Sequence, residues 1–420
     1  MSSSIFTGVS GLRANQDTLN VVGNNLANVN TTGYKTQRAN FSDLFYRTLS
    51  GATGPSTNIG GTNPMQTGFG TRIASIDSLL TQGVLEPTGN DLDLGIEGNG
   101  FFMVSNGTES FFTRAGAFGI DASGYLVDPS TGFFVQRHGT VGEGSATLPA
   151  FQTAGDNRIN IPFGAAVPGQ ETTNVLFRGN LNALAAIGET TTTAIQIFDM
   201  QGMSHLLNLV FTKTANNTWD LVASIPPSEG TMISDTVSNI TFNNDGSLAG
   251  PATGTISFQI TALAPSTQTV TLDFGLVNGF NGLTQFGGSS SAAAINQNGF
   301  APGFLNRVSF DKDGTVNGVF SNGQVLPLAQ LAIATFPNPA GLRREGNNYF
   351  SITSQSGNVS LGAGLSGGRG SVNQAVLEGS NVDIALEFTR LIIAQRGFEV
   401  NARTIQVSSQ VLQTLTTLIQ

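Results

Sequence analysis

Apolar residues recur every seven positions at both ends of this chain. Towards the C-terminus Ile384, Leu391, Phe398, Ile405, Leu412 and Ile419 fall seven apart, which lays one side chain per two helical turns along a single stripe. Leu386, Ile393, Val400 and Val407 form a second series two positions on. At about 100° per residue that offset is roughly 200° around the axis, nearly opposite the first stripe. The segment has no proline and one glycine, Gly397. Ser380 to Asp383 supplies a Ser-x-x-Asp start whose hydroxyl and carboxylate can accept first-turn amides. The pattern predicts a helix of about 36 residues, roughly 54 Å long, with two apolar faces to cover. Helices of this kind are rarely stable alone, so partners are expected elsewhere in the chain or on other chains.

The N-terminus repeats the pattern. Ile5, Leu12, Leu19 and Leu26 fall seven apart, with Val9, Val22 and Val29 on neighbouring helical positions. This predicts a second amphipathic helix that starts through Ser2, Ser3 and Ser4 and is closed by Asn28, Asn30 and Gly33. Two heptad helices at opposite ends imply a chain that goes out and returns with its termini side by side. The competing expectation is two ordinary core helices of one domain.

Between them the period changes from helical to β. After residues 31–70, read as an irregular linker with one sticky patch at Phe41, Leu44, Phe45 and Tyr46, short runs rich in β-branched and aromatic residues begin. Asp121 to Gly124, Asp245-Gly246 and Asp313-Gly314 each lie between an aromatic and an aliphatic anchor, the chemistry of tight hairpin turns. The composition shifts towards Thr, Ala and Asn after about residue 145. The fold class expected is α+β and multidomain, with terminal helices and nested β-rich domains. The division reads 1–30 plus 372–420 for the terminal helices, 31–70 plus 356–371 for linkers, 71–145 plus 286–355 for an inner β domain, and 146–285 for an inserted outer one.

Composition narrows the function. Charged residues are 11% of 420, with Lys only at 35, 213 and 312 and a net charge of -9, which argues against nucleic acid or an anionic membrane as partner. The surface is expected to be Ser, Thr, Asn, Gln and Gly, much of it meeting copies of the same chain. There is no cysteine, hence no disulfide framework or thiolate metal site. The first residues lack the basic and apolar regions of an ordinary signal peptide, and no apolar run approaches the roughly 20 residues of a membrane span.

Catalytic chemistry finds little to work with. His138 and His205 are isolated in β-rich stretches. Gly364-Leu365-Ser366-Gly367-Gly368 has the letters of a nucleophile elbow, but lies in a glycine linker with no later histidine. Asp311-Lys312-Asp313-Gly314 departs from calcium-loop spacing at Thr315 and Val316. Asp91 and Asp93 would share one face of a strand, yet one Trp and four Tyr make a poor sugar-stacking surface. No enzyme, cofactor or metal site is expected.

Three stretches carry a resemblance. Asn24-Asn25-Leu26-Ala27-Asn28, followed by Thr32-Gly33-Tyr34-Lys35, resembles the signature of bacterial flagellar axial proteins, the rod and hook subunits. The run from Asn90 to Val104 is similar to the start of their β domain. The C-terminal segment is similar to their terminal helix, with Phe398, Asn401, Ala402, Ile405 and Leu412 at favoured places and Arg403 where many members carry Lys. The middle block matches less clearly, and its presence points to the hook branch over the shorter distal-rod branch. The resemblance implies terminal helices paired as a coiled coil inside a helical homopolymer and disordered in the monomer. It implies a curved tube acting as a universal joint, with the apolar stripe residues as inner-tube contacts. It further implies partners in the distal rod, the cap and the filament junction, and type III export without a cleaved signal peptide. The alternatives are a rod-type subunit and a β-rich surface adhesin or binding module.

Overall fold

A computed structural model describes residues 2–55, 59–144, 150–164 and 166–418. Helix α1 (Ser2–Ala27) and helix α2 (Ile384–Leu418) run antiparallel. All described chain between them is β-strand, turn and two short 3-10 turns. Ile419 and the expected domain boundary at 145/146 lie outside the described residues.

The start of α2 follows from one side chain. Asp383 Oδ1 accepts the Leu386 amide at 3.0 Å, so Asp383 caps the helix and the expected Ser-x-x-Asp start shifts three residues along. The Ser380 hydroxyl accepts only the Val382 amide, at 3.4 Å and outside the helix.

The three Asp-Gly turns form as hairpins. Ile120 pairs with Leu126, Phe242 with Leu248 and Phe310 with Val316. In each, the aspartate Oδ1 accepts an amide two residues on, and Gly124, Gly246 and Gly314 take φ near +86°, +86° and +85°, a conformation that costs glycine no Cβ clash.

Two large apolar cores result. The first gathers Leu94, Ile96, Phe102, Leu126, Ile159, Ile161, Val167, Phe300, Phe310, Leu331, Ile333 and Val372. Chain segments 200 residues apart therefore share one interior. The second runs from Val175 to Ala292 around Trp219, Phe177, Phe211, Phe258 and Phe274. It fills the space between a five-stranded antiparallel sheet and a six-stranded sheet in which Asn174–Asn180 pairs parallel with Gln268–Asp273. Burial alternates along Ser204–Ala215 and Thr253–Ile260, as a strand with one face inward requires.

Several local expectations change. Residues 37–68, inside the expected linker, are not irregular: β1 (Gln37–Asp43) pairs with β4 (Thr71–Ser78), the start of the expected β runs, and β2 (Tyr46–Ser50) with β3 (Met65–Gly68). The polar alternation hides this arm from a sequence reading, because Phe41, Phe45, Tyr46, Ile59 and Met65 are all exposed. Ile159, Ile161 and Val167, assigned by sequence to the inserted block, pack in the first core. Residues 286–302, assigned by sequence to the inner β domain, contain the strand Ala293–Gln297, which pairs with Asn174–Asn180 of the inserted block. The glycine-rich return at 361–371 is pinned rather than loose: the Arg369 guanidinium donates to Ile333 O at 3.0 Å and to Ser360 Oγ at 2.9 Å. Asp91 is exposed while Asp93 is buried, hydrogen-bonded to Asn90, so the two carboxylates do not form a facing pair. His205 sits between Asp199 and Glu229, at 3.2 and 2.7 Å.

Candidate functional site

The region with functional character is the helix pair and the joint that ties it to the β body. Where α1 meets α2 the contact is made by small and polar residues. The Ser4 and Ser408 hydroxyls lie 3.3 Å apart, Gly8 faces Ile405, Gly11 faces Asn401, Asn15 faces Gly397, and Asn25 Nδ2 donates to Glu387 Oε2 at 3.1 Å. The fully buried apolar residues of the pair are Ala14, Val21, Val22 and Ala394. Small residues permit close approach of two helix backbones, at the expense of apolar area.

Apart from Ile405, which packs on Gly8, the large heptad residues lie beside the seam. Ile5, Val9, Leu12, Leu19 and Leu26 are half-buried, as are Leu391, Phe398 and Ile405. Ile384 and Leu412, at the ends of the same stripe, are 49% and 37% exposed. The second stripe is left largely uncovered by the described residues: Leu386, Ile393, Val400 and Val407 are 47%, 65%, 63% and 58% exposed. Four large aliphatic side chains in one line, uncovered, are unusual for a molecule that acts alone. Beside Ile393 a cavity of about 240 Å³ opens between α1, α2 and β1, lined by Val21, Val22, Ala39, Phe41 and Ala394.

Below the helix pair the signature residues build the joint. Asn24 and Asn25 converge on the Tyr34 hydroxyl, at 3.0 and 3.1 Å. Asn25 also makes both hydrogen bonds to the Gln37 backbone, 2.8 and 3.0 Å, in the manner of a strand partner. Asn28 Nδ2 donates to Asn24 O at 2.8 Å, closing α1. Ala27 is exposed, and Thr32 offers its carbonyl to Asn348 Nδ2 at 2.8 Å. Gly33 has φ of +70°, and a Cβ there would stand 2.7 Å from the Ala115 amide, so no other residue fits.

Lys35 is the centre of the joint. Its ammonium lies 2.6 Å from Glu378 Oε1 and 2.7 Å from Thr81 O, and both charged side chains are fully buried. Glu378 Oε2 takes Arg114 at 3.2 Å, and Oε1 also accepts the Gly83 amide at 2.8 Å. Burial pushes the Lys35 ammonium below the usual lysine range, with Glu378 pulling the other way. Burial likewise lowers Arg114 against the same carboxylate. Glu378, after the β body, thus balances two cations, Lys35 before it and Arg114 within it. Asn381 completes the junction, accepting the Thr36 amide at 2.7 Å and donating to Leu79 O at 2.8 Å.

The sequence picked out Asn24, Asn25, Gly33, Tyr34 and Lys35, but missed Glu378, Arg114 and Asn381. In a chain with so few charges, a lone glutamate in the strand-like run Val376–Glu378 was the available signal. Gly8, Gly11 and Asn15 were missed because an apolar search ignores small residues.

Comparison with known proteins agrees with this architecture. Four family descriptions match: flagella basal body rod protein over 5–35, flagellar hook protein FlgE/F/G D1 domain over 95–176, flagellar basal body protein FlaE D2 domain over 168–300, and flagellar basal body rod FlgEFG protein C-terminal over 373–418. The flagellar hook protein FlgE of Treponema pallidum is 36% identical over all of both chains. That of Borreliella burgdorferi is 37% identical over 99% of each, and that of Escherichia coli 32% over 98% of each. The crystal structure of Helicobacter pylori flagellar hook protein FlgE2 matches in fold with a TM-score of 0.54 at 18% identity, over 70% of this chain and all of that one. Full-length identity at this level, joined to paired terminal helices and two β cores, places the chain in the flagellar hook protein FlgE family, as a structural subunit of the hook and not an enzyme.

Proposed function

We propose that the uncovered α2 stripe, Leu386, Ile393, Val400 and Val407, is the surface on which neighbouring copies pack to build the inner wall of the hook tube. The observation that carries this reading is the contrast between the two α2 faces, one laid against α1 and one left exposed. Half-buried Ile5, Val9, Leu12, Leu19, Leu26, Leu391, Phe398 and Ile405 extend the same apolar surface around the pair, and Ile384 and Leu412 close it at the ends. Apolar burial between copies holds the tube together.

The β body takes the outer positions. The first core, which gathers Leu94, Ile159, Phe310 and Val372, forms the inner β domain, and the inserted block around Trp219 forms the outermost one. A hook that turns about its own axis requires each row of subunits to shorten and lengthen once per revolution. A Thr, Ser, Asn and Gly surface offers neighbours weak, interchangeable, water-mediated contacts that tolerate such sliding. The buried Lys35–Glu378–Arg114 joint transmits torque between helices and β body, because breaking it strands a charge. The chain would leave the cell through the type III flagellar apparatus without a cleaved signal peptide. The assembled hook would meet the distal rod at one end and the cap or filament-junction proteins at the other.

Removing residues 1–30 and 375–420 tests the reading. Under salting-out conditions the full chain is expected to grow into tubes visible by electron microscopy, while the core stays folded and monomeric by light scattering. Two monomeric forms with equal circular dichroism per residue would overturn it.

A further inference from the structure

The heptads that make the terminal helices recognisable do not say how far one slides along the other. Ile5, Leu12, Leu19 and Leu26 repeat every seven residues, as do Leu391, Phe398 and Ile405, so a seven-residue slip restores the same apolar matching. Something without that repeat must choose the register.

The seam contains such a device. The Asn401 side chain lies over Gly11, where a Cβ would stand 2.7 Å from its Oδ1 and 2.9 Å from its Cγ. The Asn15 side chain lies over Gly397 in the same way, at 2.7 and 3.0 Å. Each amide is also held on its own helix: Asn15 Nδ2 donates to Gly11 O and Asn401 Nδ2 to Gly397 O, both at 2.8 Å. The glycine that holds one amide is thus the glycine that the other amide covers. Neither side chain can swing aside to admit a Cβ without giving up its hydrogen bond.

We propose that Gly11, Asn15, Gly397 and Asn401 act as positioning residues, a reciprocal clasp that selects one register and one separation for the antiparallel helix pair. A seven-residue slip in one direction sets Asn401 over Thr18 and Asn15 over Thr404. In the other direction they meet Ser4 and Arg390. Every slipped partner carries a Cβ where the native one has none, so the clasp penalises the registers that the apolar stripes leave equivalent. The rival source of register is the joint end, where Asn25 meets Glu387. The inference concerns one chain's own helices, and its readout is separate from tube growth.

The chain has no cysteine, so an introduced pair reports register without background. Ser4→Cys with Ser408→Cys, built where the hydroxyls lie 3.3 Å apart, reads the native register as a disulfide on a gel. Ser4→Cys with Leu415→Cys reads a seven-residue slip. Both are followed in full-length chain before and after salting-out, with electron microscopy scoring tubes and Trp219 fluorescence confirming a folded outer domain. The 4–408 disulfide is expected in the otherwise unaltered chain. Gly11→Ala with Gly397→Ala is expected to abolish it, although alanine is the better helix former, and adding Asn15→Gly with Asn401→Gly is expected to restore it. Gly23→Ala, whose Cβ meets nothing within 4 Å, keeps it. Persistence of the 4–408 disulfide in the double alanine variant would overturn the proposal and assign register to the joint. So would its absence from the unaltered chain, or a loss that the vacated amides do not restore.

Discussion

The inserted β block and the terminal helix pair both space apolar residues regularly, but only the block consumes them. Trp219, Phe177, Phe211, Phe258 and Phe274 are sealed between two sheets at 0% exposure, whereas Ile393 and Val400 on α2 remain about two-thirds exposed. Two sheets packed face to face enclose an interior, while two helices crossing on glycine and asparagine cannot. The two regions therefore draw their stability from different places. The block buries its large residues within itself, whereas the helix pair leaves an apolar face that the proposed assembly would cover with other copies of the chain.

Val400→Asp with Val407→Asp should sharpen this contrast most. Tube growth is expected to be lost outright by electron microscopy, with the denaturation of the outer block unchanged, because a charge on the uncovered stripe costs little until a neighbour covers it. A variant that still forms tubes would break the comparison. Next, Glu378→Gln removes the anion shared by Lys35 and Arg114. Stranding buried cations costs about 3–5 kcal/mol, to be read as a lower calorimetric midpoint of the inner β body.

Phe211→Ala, opposite Phe177 at 5.8 Å, should cost the outer block about 3–5 kcal/mol. The single tryptophan, Trp219, reports that loss by fluorescence, and tube growth should survive at temperatures where the block stays folded. The smallest effect concerns Tyr349, whose hydroxyl donates to Asp128 Oδ2 at 2.6 Å. Burial and that carboxylate raise its phenol well above the ordinary range near 10. Its contribution is complete below about pH 10 and is lost as pH rises through the raised value. Denaturant midpoints at pH 9 and 11 should therefore fall in the native chain and fall less in Tyr349→Phe.

How far the sequence could be read varies by element, for physical reasons. Both helices and the three Asp-Gly hairpins were legible because their signals are local: a seven-residue period, a carboxylate two residues before an amide, a glycine at positive φ. The part of the arm at 37–68 was not, since Phe41, Phe45, Tyr46 and Met65 face outward and leave no buried alternation to detect. The boundary of the inserted block was displaced because Ile159, Ile161 and Val167 look the same in sequence whichever core they join.

By itself, then, the sequence determined that two long helices lie at the ends, that β hairpins fill the middle, and that α2 carries more apolar surface than one partner can cover. Periodicity and turn chemistry act over a few residues and need no knowledge of the rest. Only the tertiary structure decided that the helices meet along Gly8, Gly11, Asn15, Gly397 and Asn401, with Ile405 the one stripe residue seen against these glycines. It alone decided that Lys35 finds Glu378 across more than 300 residues of chain. Close approach and buried charge balance depend on which distant atoms arrive together, and no local pattern carries that.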